Sequence, residues 1–148
     1  MRGVVSLLVI VLACGACAAD ATVQREGDRI VLANALVQRT LALDAGVWRT
    51  LSFSRADGSD QVAVGSDEFL IRLMDGSELT ASDYVAADEP VLNEGINEAS
   101  VRVTYLPRGA DSVGAPRAVE VQYWLGNQPY LRKRLVLTMG PGQAVDRL

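Results

Sequence analysis

The amino-acid sequence predicts an all-β fold, an antiparallel β-sandwich. Apolar and polar residues alternate with a period of two in most segments of the chain, which is typical of half-buried strands. Turn-forming residues interrupt these segments at roughly 8–12-residue intervals, as they do in sandwiches. The mature sequence shows no convincing helical period. We therefore expect a single β-sandwich domain over residues 19–148.

The first half of the domain contains three predicted strands. The first begins at residues 30–32, after the Gly27-Asp28 turn, and the second covers residues 36–43. The third covers residues 47–54 and ends at the turn of residues 56–60, which is rich in Asp and Gly. The alternation of residues along this strand divides its side chains between two faces, one of which is apolar. The apolar face is Val47, Leu51 and Phe53, and the opposite face is Trp48, Thr50 and Ser52.

The second half alternates more clearly. Residues 69–74 end at Asp75-Gly76, a hairpin turn onto residues 78–80. The acidic stretch of residues 81–99 is less regular, and two strongly alternating strands follow it. We expect the inward-facing residues of these strands to share one core: Phe69, Ile71, Leu73, Val101, Val103, Val119, Val121 and Tyr123.

The end of the chain predicts an incomplete fold. The turn of residues 126–129 leads into a strand over residues 130–139, which should pair with residues 119–125. Residues 145–148 resemble the opening of a further strand, and we expect them to have no sheet partner of their own. The sandwich is therefore predicted to be truncated at its C-terminus and prone to self-association.

The first 18 residues predict a signal peptide. A single basic residue, Arg2, precedes an apolar run of about half the roughly 20 residues that a spanning helix needs. Two endings fit this signal. The sequence before Cys14 resembles a lipobox, in which Cys14 is lipidated and holds the protein at a membrane. Alternatively, Ala16-Cys17-Ala18 fits the pattern cut by ordinary signal peptidase, which releases the protein. We favour free export slightly, to the periplasm or the extracellular space.

Composition limits the chemistry of the mature domain. The formal net charge is −4, Lys133 is the only lysine, and the chain has no histidine. Histidine-dependent catalytic triads and histidine metal sites are therefore excluded, and we expect no cofactor and no metal. Arg132-Lys133-Arg134 is the one basic cluster. We interpret it as a solvated strand edge or a salt-bridge site rather than a polyanion site, and we expect no nucleic-acid partner.

The acidic pairs do not predict a catalytic site. Glycoside hydrolysis needs two carboxylates facing each other at roughly 5–10 Å, but neighbours such as Asp67 and Glu68 point to opposite faces of a strand. The Asp57–Asp60 segment lacks the ligand series of a calcium loop and is interpreted as a turn.

Two tryptophans are the candidate carbohydrate-binding residues. Trp48 and Trp124 both fall on the face opposite the main apolar set of their strands. Each either packs beneath a further layer, which we favour, or offers an exposed platform for stacking on a sugar.

Two segments resemble a known family. The first segment is residues 30–43, with Asn34 and Arg39. The second is Pro129–Leu137, followed by Val145-Asp146-Arg147. Both are similar to the N-terminal β-supersandwich of α-galactosidase-like glycoside hydrolases, which is galactose mutarotase-like. In that family a longer sandwich precedes a (β/α)₈ barrel that holds the catalytic aspartates. The resemblance thus implies a downstream catalytic domain and assigns no catalytic residue to this chain, which we expect to be inactive alone. A stand-alone exported carbohydrate-binding or structural sandwich, with a lipid anchor if Cys14 is modified, is the alternative.

Overall fold

The computed structural model describes residues 20–65, 67–109 and 114–141, together with the backbone of residues 145–147. The predicted signal peptide and Cys14 lie outside the described residues. The described part contains thirteen β-strands and one 3₁₀ turn (Ala81–Asp83). The strands are β1 (Thr22–Glu26), β2 (Arg29–Ala33), β3 (Val37–Asp44), β4 (Val47–Arg55), β5 (Val62–Ala63), β6 (Leu70–Leu73), β7 (Glu78–Thr80), β8 (Tyr84–Ala86), β9 (Val91–Gly95), β10 (Glu98–Pro107), β11 (Ala118–Leu125), β12 (Leu131–Thr138) and β13 (Val145–Arg147). No helix in these ranges is both long and apolar enough to cross a membrane.

The first sheet contains β1 to β5 in chain order, and each neighbouring pair is antiparallel. The turn between β3 and β4 depends on Gly46. Its φ of +79° is a conformation that favours glycine, and a Cβ added there would lie 2.8 Å from Cγ2 of Val85. Backbone conformation and space therefore both require glycine at this position.

The second sheet has the order β12-β11-β10-β8, and β9 also pairs with β10. The register of β11 and β12 runs from Leu125 opposite Leu131 to Ala118 opposite Thr138. This register confirms the predicted pairing across the turn of residues 126–129. Within the described residues, β12 forms one edge of this sheet, and β8 and β9 lie beyond β10 at the other.

The third sheet is small and has the order β13-β6-β7. The hairpin of β6 and β7 is confirmed, and Gly76 in its turn has a φ of +85°. The expectation that residues after Val145 have no sheet partner is wrong, because the β13 backbone pairs antiparallel with β6. This pairing joins segments distant in sequence, and the alternation within one strand does not reveal such a partner.

One hydrophobic core contains side chains from all three sheets. All eight residues predicted to share a core belong to it, and Ile71, Val101, Val103, Val119 and Val121 are fully buried. The predicted all-β antiparallel sandwich is therefore confirmed.

The predicted apolar face of β4 is only partly the buried one. Val47 is buried and Phe53 packs against the core, but Leu51 is 44% exposed. Trp48, Thr50 and Ser52, which were predicted on the opposite face, are buried. A register shift lies between Thr40 and Leu41 on the neighbouring strand β3. The apolar pattern misleads here because hydroxyl-bearing residues occupy the buried positions, where their side chains can form hydrogen bonds.

Candidate functional site

The outer face of the second sheet is built around Trp124. Along β11 the residues at 119, 121, 123 and 125 are buried, so the intervening side chains point away from the core. Trp124 is one of these outward residues and is partly exposed. On the neighbouring strands Ser100 and Arg132 are its direct Cα partners, and Asn93 of β9 lies opposite Ser100. Four strands thus contribute one continuous row of side chains.

A second row runs beside the first. Gln122 pairs with Arg102 on one side and Arg134 on the other. Gln122 donates a hydrogen bond to Glu120, and Nε of Arg102 lies 3.7 Å from the Glu120 carboxylate. Polar groups therefore lie along this side of the indole.

Three hollows surround the indole of Trp124. The largest has a volume of about 540 Å³ and is lined by Glu98, Trp124 and residues 132–134. A hollow of about 130 Å³ extends it towards Gln128 and Tyr130, and one of about 110 Å³ lies on the side of Asn93 and Ser100. We call this surface, comprising the residues that line the three hollows, the Trp124 face.

The Trp124 face combines an aromatic ring with hydrogen-bonding side chains. An indole offers an apolar surface, and the amide, hydroxyl and guanidinium groups around it offer donors and acceptors. Specific binding sites have this composition, in which apolar area supplies affinity and a few polar groups fix orientation. The arrangement suits a ligand that has one apolar face and hydroxyl groups at its rim.

The other candidate, Trp48, does not form an exposed platform. Its side chain is 2% exposed, and the guanidinium of Arg25 lies 5.4 Å from the ring centroid. Arg25 is itself paired with Glu89. The packing that we favoured from sequence therefore holds for Trp48, and carbohydrate stacking on this ring is not supported.

A buried charged cluster, which sequence reasoning missed, lies near the inner side of β12. Glu68 is 4% exposed and occupies a bend immediately before β6. Its carboxylate accepts hydrogen bonds from the backbone and hydroxyl of Thr50, from the hydroxyl of Tyr123 and from Lys133, whose Nζ lies 2.8 Å away. Arg39 approaches the same carboxylate at 3.4 Å. The cluster thus links the first sheet to the second.

Two cations balance the charge of Glu68. Burial by itself would raise the pKa of its carboxyl, but the charge of Lys133 and the hydrogen bonds from Lys133, Thr50 and Tyr123 more than offset this, so the pKa lies below its ordinary value. Glu68 is therefore an ionised structural carboxylate and a poor proton donor.

The aromatic ring of Tyr123 completes the cluster. The guanidinium of Arg39 lies 4.4 Å from its centroid and Nζ of Lys133 lies 5.6 Å from it. Burial, followed by the charge of Glu68, raises the pKa of the Tyr123 hydroxyl well above its ordinary value. The neutral phenol therefore remains a hydrogen-bond donor to Glu68 across the physiological pH range.

The other acidic pairs have local partners. Asp67 points away from Glu68 and pairs with Arg49. In the predicted turn, Asp57 accepts hydrogen bonds from the backbone and hydroxyl of Ser59 at 2.8 and 2.6 Å, and Asp60 pairs with Arg55 at 2.8 Å. The turn interpretation accounts for both aspartates.

The basic cluster is divided by the alternation of β12. Lys133 points inward to Glu68, while Arg132 and Arg134 line the largest hollow of the Trp124 face. The salt-bridge interpretation thus describes the lysine, and the arginines belong to the outer surface.

No family model matches the chain, and no curated protein or solved structure gives a significant match.

Proposed function

We propose that this chain is the N-terminal sandwich portion of an exported α-galactosidase-like glycoside hydrolase, and that its own role is to bind carbohydrate through the Trp124 face. The partly exposed indole set among polar side chains is the observation that supports carbohydrate binding most directly. The resemblance of residues 30–43 and 129–147 supports the enzyme context, with a downstream catalytic domain as partner. The secretion-type N-terminus supports export.

A stand-alone carbohydrate-binding sandwich is the second candidate. The argument for a truncated enzyme relied on an unpaired final strand, and β13 pairs with β6. Both candidates use the same sugar-binding face. They differ in whether a catalytic domain follows it, and the reading frame downstream of codon 148 decides between them.

Carbohydrate binding is tested by affinity electrophoresis and calorimetry of the purified chain on a panel of polysaccharides. Trp124→Ala should weaken binding about tenfold or more, because truncation of a central aromatic anchor costs about 2 kcal/mol or more. Met74→Ala is the matched control, since Met74 is 68% exposed on the turn after β6. Equal binding by the wild type and the Trp124 variant would refute the site.

We expect no glycosidase activity from the chain alone. Glu68 is the buried carboxylate of the part of the chain that the structure describes. It is held ionised among cations and cannot readily supply the proton that a leaving group needs. Turnover of an aryl galactoside by the purified protein, lost on replacement of one carboxylate, would contradict this expectation.

A further inference from the structure

We propose that the Trp124 face selects an anionic carbohydrate, one whose sugar rings carry carboxylate or sulfate groups; this inference rests on the proposed carbohydrate-binding function. The ring of such a sugar would stack on the indole of Trp124. Its acidic group would lie against Arg132 and Arg134 on the neighbouring strand.

The two arginines lie on the same side of the indole. Arg132 is the direct Cα partner of Trp124, and Arg134 is the partner of Gln122 one step along the same face. Alternate residues of a strand are roughly 7 Å apart. The pair thus presents two guanidinium groups along one border of a single aromatic platform.

These guanidinium groups are not neutralised by the described part of the chain. Arg102 lies within 3.7 Å of Glu120, whereas neither Arg132 nor Arg134 has a carboxylate within ion-pair distance among the residues that the structure describes. The described interaction of Arg132 is with the ring of Tyr130, whose centroid is 5.8 Å away. Both side chains are therefore available to an external anion.

The local charge is opposite to that of the whole chain. The protein has a net charge of −4, yet the largest hollow of the Trp124 face is lined by Arg132 and Arg134 against one acid, Glu98. Lys133 also borders this hollow, but its amine is paired with Glu68. Guanidinium groups bind carboxylate and sulfate-like oxygens in planar, two-bond geometry. This charge complementarity distinguishes an anionic sugar polymer from a neutral one.

Nucleic acid fits the same surface less well. Single-stranded nucleic acid is bound by an extended basic groove with a series of stacking aromatics. The Trp124 face has one central indole and two unneutralised arginines on an acidic protein. Its second aromatic ring, Tyr130, already has the guanidinium of Arg132 near it. We therefore assign the arginines to a sugar acid and make nucleic-acid binding an outcome of the test.

The test measures binding of the full chain to a polyuronate, a sulfated galactan, a neutral galactan and a single-stranded oligonucleotide at low and high salt. The wild type should bind at least one of the two anionic polysaccharides about tenfold more tightly than the neutral one, as two charge-assisted contacts imply. Binding should weaken as salt rises. The better of the two anionic ligands identifies whether carboxylate or sulfate is recognised.

The double variant Arg132→Gln, Arg134→Gln should lose that tenfold preference and keep the binding to neutral galactan. The control is Arg117→Gln, which changes an exposed arginine of equal charge before β11, beyond the far end of that strand from Trp124. It should leave binding within about twofold of the wild type, because screened, distant charges contribute little.

Two results would overturn the inference and leave the proposed function standing: equal affinity for neutral and anionic polysaccharides, or an anionic preference that survives the double variant. Tighter binding of the oligonucleotide than of every polysaccharide would also overturn the inference. If no polysaccharide binds at all, the proposed function itself fails.

Discussion

Replacing Glu68 by glutamine tests whether the buried charged cluster holds the two large sheets together. The glutamine has nearly the same shape but removes the negative charge that balances Lys133 and Arg39. Removing one partner of a buried ion pair costs about 3–5 kcal/mol. Because the side chain of Lys133 is 30% exposed and can still reach water, we expect the low end, about 3 kcal/mol.

Urea denaturation followed by tryptophan fluorescence measures this loss. With a slope of about 2 kcal/mol per molar urea, the midpoint of Glu68→Gln should fall by about 1.5 M with little change in slope. Glu78→Gln is the matched control, since it breaks the exposed pair with Arg72. An exposed pair contributes less than about 1 kcal/mol.

The same residue sets the acid dependence of stability. The pKa of Glu68 is lower in the folded protein than its ordinary value, so the stabilisation is complete above the unfolded pKa of about 4.3. It is lost as the pH falls through the lower, folded value. The stability of the wild type should therefore drop faster below about pH 4 than that of Glu68→Gln.

A Glu68→Gln variant whose urea midpoint lies within the error of the Glu78→Gln control would refute this role of the cluster. The role would also be refuted if wild type and variant lost stability in parallel on acidification. Either result would mean that contacts other than this cluster hold the two sheets together.

Three further substitutions test other parts of the fold. Val121→Asp should unfold the domain because it buries a charge at a fully enclosed position, whereas Gln122→Asp on the outward face should be tolerated. Circular dichroism measures both effects, and equal tolerance of the two substitutions would contradict the strand phasing. Asn34→Ala should lower stability by about 2 kcal/mol or more, because the buried Asn34 side chain forms four hydrogen bonds to backbone groups; an unchanged urea midpoint would exclude this role. Gly46→Ala should lower the melting temperature by several degrees, roughly the effect of 1 kcal/mol or more. If the cause is the contact between the added Cβ and Cγ2 of Val85, a second substitution, Val85→Ala, should partly restore the melting temperature.

Much of the second sheet could be predicted from the sequence because its periodicity and its burial coincide. In β11, valine, tyrosine and leucine fill every inward position, and two of the four outward positions carry the polar residues Glu120 and Gln122. The turn before β12 is likewise local, so its pairing follows from neighbouring residues. This regularity also placed Trp124 on the outer face.

The first sheet was harder because polarity and burial diverge there. In β4 the buried positions include Thr50 and Ser52, while the exposed Leu51 suggested the opposite phase. Thr50 is suited to burial because its hydroxyl and backbone donate to Glu68. The residues around Thr50 give no sign that the fold places the Glu68 carboxylate, which is distant in sequence, beside it.

The burial of Glu68 was not predicted from the sequence. Alternation indicates which residues of a strand point inward, but Glu68 lies in a bend before β6, where alternation does not indicate a face. Its neighbour Phe69 is also buried. The available hint was composition, since the only lysine of the chain is the residue that faces this carboxylate.

Because Lys133 is the only lysine, its side chain is a single site for chemical labelling. The ε-amine of Lys133 is the only lysine amine in the sequence, and Glu68 holds it through two hydrogen bonds. A reagent that acylates lysine should modify it fully only when these contacts break. The rate of acylation therefore reports how often this corner of the sandwich opens under native conditions. Local opening can thus be followed by mass spectrometry of the unaltered protein, without introducing a label.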